Sequence, residues 1–369
     1  MDTTDKNIIF DENGVCDHCN NYKENIEKDW ENAINNQRFE LLKDIAKKIK
    51  EDGKGQEYDC LIGISGGPDS SFMLHFVVNE LNLRPLVFHV DGGWNTKSAV
   101  HNIKNLVTKL NLDLKVNVVD WEEMRDFQLA YFKSGMSNLD TPQDQAFMAT
   151  LYNYADKNNI RYILNGGNIS TENVQVPLDW IYYTTDMRLL NDISSKFMEN
   201  KFKKFELSSA LNHKFKLRYL KGIKLLKPLD FIRYIKEDAL QLLESEYGYE
   251  RFKNKHWESH FTKFYEGYWL PKRFNIDTRR VTFSSMILTK QITREKALQI
   301  LETPAIDEIE GKKLSSYICK KLRIDSHQLD SYMNMDLKSF RDYKNHHLIY
   351  KIGAKIMGLL KEDISGKKR

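Results

Sequence analysis

Short apolar runs alternate with amphipathic stretches through the first half of this chain. That rhythm predicts strands buried on both faces, set between helices. The runs at 58–64, 85–90, 114–119 and 161–164 read as strands. Between them, Phe72, Met73, Phe76, Val77 and Leu81 recur at helical spacing and predict a helix over 69–82. Val100, Ile103, Leu106, Val107 and Leu110 predict another over 96–110, and helices are expected at 121–133 and 143–158. A single charged helix is expected over 26–51, with Trp30, Ile34, Leu41, Leu42, Ile45 and Ile49 as its apolar positions. Such alternation specifies an α/β fold with a doubly wound parallel sheet, whose right-handed crossovers bring the strand C-terminal ends to one edge. After about residue 200 the alternation stops, and the remainder reads as mainly helical and rich in aromatic and basic residues. Three parts are expected: an N-terminal segment 1–51, an α/β domain 52–200 and a mainly helical region 201–369.

Three of the expected strand ends are chemically distinctive. The first run ends in Ser65-Gly66-Gly67-Pro68-Asp69-Ser70-Ser71 at the start of a helix. Glycines let backbone approach a phosphate closely, and the first N–H groups of a helix point at it. Ser65, Ser70 and Ser71 add hydroxyls. Asp69 is out of place at an anion site, so it either caps the helix or holds a divalent cation that binds the phosphates. The second end is His89-Val90-Asp91-Gly92-Gly93-Trp94, and the third is Asn165-Gly166-Gly167-Asn168 followed by Thr171 and Glu172. One glycine turn is an ordinary strand end, but three on the same sheet edge point to one crevice. No Gly-x-x-x-x-Gly-Lys-Ser/Thr occurs, so this is not a Walker A loop.

Composition narrows the class. The chain has 369 residues, 41% hydrophobic and 29% charged, which is the balance of a globular protein with room for two domains. A net charge of +4 does not call for a nucleic-acid partner. No apolar run reaches membrane-spanning length and the first residues are acidic, so neither a membrane span nor a secretory leader is expected. Four cysteines fit a reducing cytoplasm better than a disulfide framework. The terminal Lys367-Lys368-Arg369 reads as a solvated basic run.

The Ser-Gly-Gly-x-Asp-Ser stretch resembles the pyrophosphate loop of N-type ATP pyrophosphatases. With Gly-Val-Cys-Asp-His-Cys at 14–19, His-Val-Asp-Gly-Gly-Trp-Asn at 89–95, Asp-Trp-Glu-Glu at 120–123, Leu-Asn-Gly-Gly-Asn-Ile-Ser-Thr-Glu at 164–172, His-Trp-Glu-Ser-His-Phe-Thr-Lys-Phe-Tyr at 256–265, Ile-Asp-Thr-Arg-Arg at 276–280 and Ile-Thr-Arg-Glu-Lys-Ala at 292–297, nearly the whole chain resembles the N-acetyl sugar amidotransferases of O-antigen and nonulosonic-acid synthesis. That resemblance implies an ATP-dependent, AMP- and pyrophosphate-forming enzyme acting on a nucleotide-linked acetamido sugar in the cytoplasm. The amide oxygen is adenylylated and ammonia displaces AMP to give an acetamidino group, for surface polysaccharide. It implies catalytic roles for Ser65 and Asp69. It also implies ATP contacts from Ser65, Gly66, Gly67, Asp69, Ser70, Ser71, His89, Val90, Asp91, Asn165, Gly166, Gly167 and Asn168, and Mg²⁺ on Asp69 with Glu172 as a second ligand.

Lys263, Lys272, Arg273, Arg279 and Arg280 are candidate partners for phosphates or an acidic sugar. Asp140, Gln143 and Asp144 could touch the sugar, but a plain helix N-terminus is the stronger reading. Tyr265, Tyr268 and Trp269 could pack a ring or belong to the core. The relatives carry a further Cys-x-x-Cys upstream of a Met-Asp-Thr stretch, and this sequence opens at Met-Asp-Thr-Thr. Cys16 and Cys19 therefore read as half of a tetrahedral Zn²⁺ site. None of the four cysteines sits in the context of a glutaminase nucleophile, so ammonia is expected from a separate glutaminase subunit with a channel-forming companion. The competing functions are a tRNA-modifying adenylylase of thiolase or lysidine-synthetase type and a non-catalytic ATP-binding sensor.

Overall fold

The computed structural model describes residues 1–209, 212, 217 and 219–360. Its centre is a five-stranded, all-parallel sheet in the order β3-β2-β1-β4-β5. The strands are β1 (Cys60–Gly63), β2 (Pro85–Asp91), β3 (Leu114–Val118), β4 (Tyr162–Leu164) and β5 (Lys224–Leu226). Four of them fall where the apolar runs place them. Alternation along the strands sends Cys60, Ile62 and Val87 into one core and Leu61, Leu86, Phe88 and Ile163 into another, so both faces of the sheet's centre are buried, whereas the edge strand β3, expected to be buried, exposes Leu114, Val116 and Val118. The expected helices form as Pro68–Asn79, Lys97–Lys109, Trp121–Ser134 and Thr141–Lys157. Val100 departs from expectation and is exposed, the buried stripe running through Ala99, Ile103, Leu106 and Val107.

Two expectations need correction. The region 26–51 is not one helix but two, Glu27–Ile34 and Phe39–Asp52. Asn36 between them adopts φ 57°, a left-handed conformation that ends a helix and that asparagine tolerates better than most residues. The α/β pattern also continues past residue 200. β5 pairs with β4 through Tyr162↔Lys224, Ile163↔Leu225 and Leu164↔Leu226. It is three residues long and half-exposed, too short to show as an apolar run.

The C-terminal part is helical, as expected. Its core joins Phe261, Phe264 and Trp269 to Phe127 and Phe132 of the 121–134 helix. Among the described residues no helix is long and apolar enough to cross a membrane. The basic run at 367–369 lies outside the described residues.

Candidate functional site

From β1 the chain proceeds outward through β2 to β3, whereas β4 and β5 lie on the other side of β1. The strand order therefore reverses between β1 and β4, and a parallel sheet opens its crevice at the C-terminal ends of such a pair. The 65–71 loop follows β1 and the 165–168 turn follows β4, so the topology places two of the three distinctive ends side by side. Contact is close. A side chain on Gly166 would put its Cβ 2.7 Å from Ser70 N, and one on Gly66, at φ +84°, would meet Ala99 O at 2.7 Å. These positions require glycine.

Within the loop, Gly67 N donates to Ser65 Oγ (3.2 Å) and Ser70 Oγ donates to the Gly67 carbonyl (3.2 Å). Gly67 is the N-cap and Pro68 opens the helix, where its missing N–H costs nothing. The following N–H groups, of Asp69 and Ser70, have no carbonyl one turn back and point out of the helix end. Ser65 is exposed, whereas Ser71 is buried and its hydroxyl has no hydrogen-bond partner among the described residues. The Gly66 carbonyl is held from behind by Tyr249 Oη (3.0 Å) and Asn102 Nδ2 (3.4 Å).

Asp69 does not cap the helix, nor does it face solvent. Its side chain is 14% exposed, accepts from Tyr234 Oη at 2.5 Å and pairs with Lys255 Nζ at 3.2 Å. Lys255 also reaches Glu172 Oε1 at 2.6 Å. Burial opposes charge on Asp69, but Lys255 and Lys236 more than offset it and hold the carboxyl below its usual range. Glu172 is lowered against burial by the same Lys255. Burial likewise opposes charge on Lys255, and the two carboxylates raise it despite that. Lys236, with fewer partners, is lowered by burial.

Between the two carboxylates expected to hold Mg²⁺ stands the ammonium group of Lys255, 3.2 Å from Asp69 and 2.6 Å from Glu172. Zn²⁺ does not fit at the N-terminus. Cys16 and Cys19 lie with sulfurs 3.4 Å apart, but His18 turns to Asp5 (3.0 Å). Among the described residues no group of three His, Cys, Asp or Glu side chains is placed to hold a metal ion.

At the β2 end, His89 is committed internally. Its Nδ1 bonds the Ile64 carbonyl (2.8 Å) and its Nε2 bonds Asn95 Nδ2 (2.8 Å). It ties the β2 end to the start of the loop rather than presenting a free ring. Asp91 accepts from Gly93 N (2.8 Å), and Val90 is half-buried beside it. At the β4 end, Asn165 accepts from Gly167 N (2.6 Å), while Asn168 is buried and accepts from Thr171 N (2.8 Å).

Each of the five basic candidates holds a partner within the chain. Lys263 pairs with Glu310 (2.5 Å) and Lys272 with Glu308 (2.8 Å). Arg273 donates to the carbonyls of Met333, Met335 and Asp336, and Arg280 pairs with Asp2. Arg279 is buried against Asp277 (2.6 Å) and is the member of the set that lines the main cavity. Spacing in sequence could not reveal these partners, which lie up to 278 residues away. Tyr265 and Trp269 are core residues, 1% exposed each.

The sequence reading quotes 256–265 as a motif but gives Lys255, Glu258, Ser259 and Thr262 no role at the site, and the segment from Lys255 to Thr262 runs along this edge. Lys255 holds Asp69 and Glu172, and Glu258 accepts from Ser65 Oγ (3.0 Å). Ser259 meets Gln143 (3.4 Å) and Thr262 donates to Asp140 (2.8 Å). Its backbone bonds the β2 end through Thr96 N to Glu258 O and His260 N to Trp94 O. The lysine, Glu172 and Lys236 open onto a cavity of about 2700 Å³ whose lining also includes Glu266, Arg279 and Phe283. That is larger than the roughly 300–1,000 Å³ of an ordinary small-molecule pocket, and it suits a bulky second substrate.

Residues 258–357 match the family described as LPS biosynthesis protein WbpG-like, C-terminal domain. No curated protein matches the sequence. Among solved structures, a U34-tRNA thiolase from Methanococcus maripaludis aligns at 14% identity over 73% of this chain and 81% of its own, with a TM-score of 0.34. An NH3-dependent NAD synthetase from Campylobacter jejuni aligns at 14% over 81% and 97%, with a TM-score of 0.33. An NMN synthetase from Francisella tularensis gives 13% over 80% and 98%, with a TM-score of 0.34.

Proposed function

We propose that this chain is an ATP-dependent ligase of lipopolysaccharide synthesis that converts the acetamido group of a nucleotide-linked sugar to an acetamidino group. One observation carries the reading. The glycine loop at the β1–β4 switch point opens, through Lys255 and Glu172, into a large cavity walled in part by the WbpG-like domain. ATP phosphates on the loop and a sugar in the cavity are then neighbours.

An amide carbonyl resists ammonia because its nitrogen donates into it. Transfer of AMP to the amide oxygen supplies a leaving group, with pyrophosphate released. In this reading the 65–70 backbone and hydroxyls hold the pyrophosphate portion, and the 165–168 turn and the β2 end flank the nucleoside. Lys255 and Lys236 supply positive charge where the phosphates lie. Asp69 and Tyr234 keep Lys255 aimed at that point until substrate arrives. Such catalysis is orientation plus electrostatics. Glu258, now on Ser65, must give way to the phosphates. The walls must also exclude water, which would return the activated amide to acetamide.

The nitrogen comes as ammonia, from a separate glutaminase with a channel-forming companion in the cytoplasm. Cys60 and Cys319 are buried with their thiols pushed up by burial, and neither is a nucleophile for glutamine. A carrier-cysteine thiolase reading meets the same obstacle. The test supplies ATP, a panel of UDP- and CMP-linked acetamido sugars and either ¹⁵N-ammonium or glutamine. AMP, pyrophosphate and a ¹⁵N-labelled amidine from ammonium are expected. ADP with orthophosphate would refute the adenylylation, and product from glutamine with this chain alone would refute the separate glutaminase.

A further inference from the structure

The sheet edge formed by β3 is open among the described residues. Leu114, Val116 and Val118 are 37%, 45% and 72% exposed, and Lys115 between them is exposed as well. The pairings Val87↔Leu114, His89↔Val116 and Asp91↔Val118 set the three apolar side chains on one face of the sheet. Their backbone groups also point outward. Val87 N donates to Asp113 O and Val119 N donates to Asp91 O, so the odd-numbered residues of this segment turn their N–H and C=O groups to β2. Backbone direction alternates along a strand, which leaves those of Leu114, Val116 and Val118 facing away from β2, on the side where the sheet ends. Edges of this kind are ordinarily blunted by proline, by a bulge or by charge on the exposed row. In Leu114-Lys115-Val116-Asn117-Val118 the single charge stands on the opposite row. The other edge offers less: β5 has three residues, of which Leu225 is the exposed one.

We propose that β3 is the interaction surface for a second copy of this chain, joined by antiparallel strand pairing about a two-fold axis at Val116. Hydrogen bonds across the axis form between residues whose backbones both face outward, so even positions must meet even positions. An axis at Val116 sets it against the partner's Val116 and sets Leu114 against the partner's Val118. Each facing pair exchanges two N–H···O=C bonds, and the apolar row packs on its own copy. On the other row Lys115 falls opposite the partner's Asn117, so no like charges meet. An axis at Lys115 would put two lysines face to face, which is unfavourable, and an axis at Asn117 would lose the contact between Leu114 and the partner's Val118. Charge and apolar pattern thus select one register. The two-fold uses each edge once and closes the assembly at two chains.

Antiparallel pairing points the C-terminal edges of the two sheets in opposite directions. Both Ser65 loops stay open, and dimerisation stands apart from the amidine chemistry. An interface built around one five-residue strand belongs to the weak, reversible class below about 1,200 Å² in total. The dimer should therefore form and dissociate with protein concentration.

Sedimentation velocity of the full chain, from micromolar to near-millimolar concentration, should show a monomer–dimer equilibrium. Val116→Lys and Val116→Glu change an exposed side chain, so each should keep the wild-type circular dichroism and urea midpoint. Each sets like charges across the axis and should weaken dimerisation about a hundredfold or more. Mixing the two variants sets lysine against glutamate and should restore a dimer containing one of each, weakened again by added salt. Lys115→Glu should leave the wild-type equilibrium in place, because an asparagine faces it. A monomer at every concentration overturns the proposal. So do species larger than a dimer that grow with concentration, the mark of head-to-tail assembly. Wild-type dimerisation by both Val116 variants would place the contact on another surface, and failure of the mixed variants to pair would remove the two-fold at Val116; either result overturns it. If the Val116 variants unfold, Val118→Lys, at the most exposed position of the row, must give the same loss of dimer.

Discussion

Lys255→Met tests the centre of the site most directly. Methionine keeps the aliphatic stem and removes the cation that Asp69 and Glu172 share at 3.2 and 2.6 Å. Asp69 and Lys255 are 14% and 15% exposed, so the pair is largely desolvated; Glu172, at 35%, is partly screened by solvent. Breaking a buried pair by removing one partner costs about 3–5 kcal/mol, and the screening of Glu172 puts the expected loss near the lower end, about 3 kcal/mol. The loss carries a pH signature. In the wild type Asp69 and Glu172 lie below their ordinary range. Their stabilisation is therefore complete above about pH 4–5, the unfolded carboxyl range, and is lost only as pH falls through the lower folded values. Without Lys255, burial dominates and raises both groups. The variant then carries unpaired charge at pH 8, and lowering the pH neutralises that charge in the folded state. Its deficit relative to wild type should shrink from pH 8 to pH 5. Urea unfolding followed by circular dichroism at pH 8, 6.5 and 5 measures this. A deficit under about 1 kcal/mol at pH 8, or one that is flat with pH, would refute the pairing.

The close glycines give a second test. Gly166→Ala drives a Cβ to 2.7 Å from Ser70 N, a backbone atom that cannot swing aside. Overpacking of this kind costs about 1–3 kcal/mol, and because the loop must shift, ATP binding by calorimetry should weaken more than the melting midpoint suggests. Arg273→Ala should behave oppositely: its guanidinium holds the carbonyls at 333–336, so stability should fall while KM values for ATP and sugar stay unchanged. A KM effect without loss of stability would return Arg273 to the substrate site.

The parallel sheet was legible because its central strands are apolar on both faces and its glycines punctuate the strand ends. The glycine loop was legible for the same local reason: Ser65, Gly66, Gly67 and Asp69 are contiguous, and backbone conformation alone accounts for their pattern. What escaped was tertiary. Lys255 looks like one more basic residue in a charged stretch, and only the fold sets it against Asp69 and Glu172, 186 and 83 positions away. Lys272 and Arg273 looked like ligand-binding residues for the same reason in reverse, since nothing near them in sequence shows the Glu308 carboxylate or the 333–336 carbonyls that engage them. A free charge and a paired charge have the same one-letter code. Backbone-dictated chemistry can therefore be read along this chain. Chemistry made by pairing charges across the crevice depends on the segment 255–266, which lays its side chains over the sheet edge and gives both ends of the site their partners.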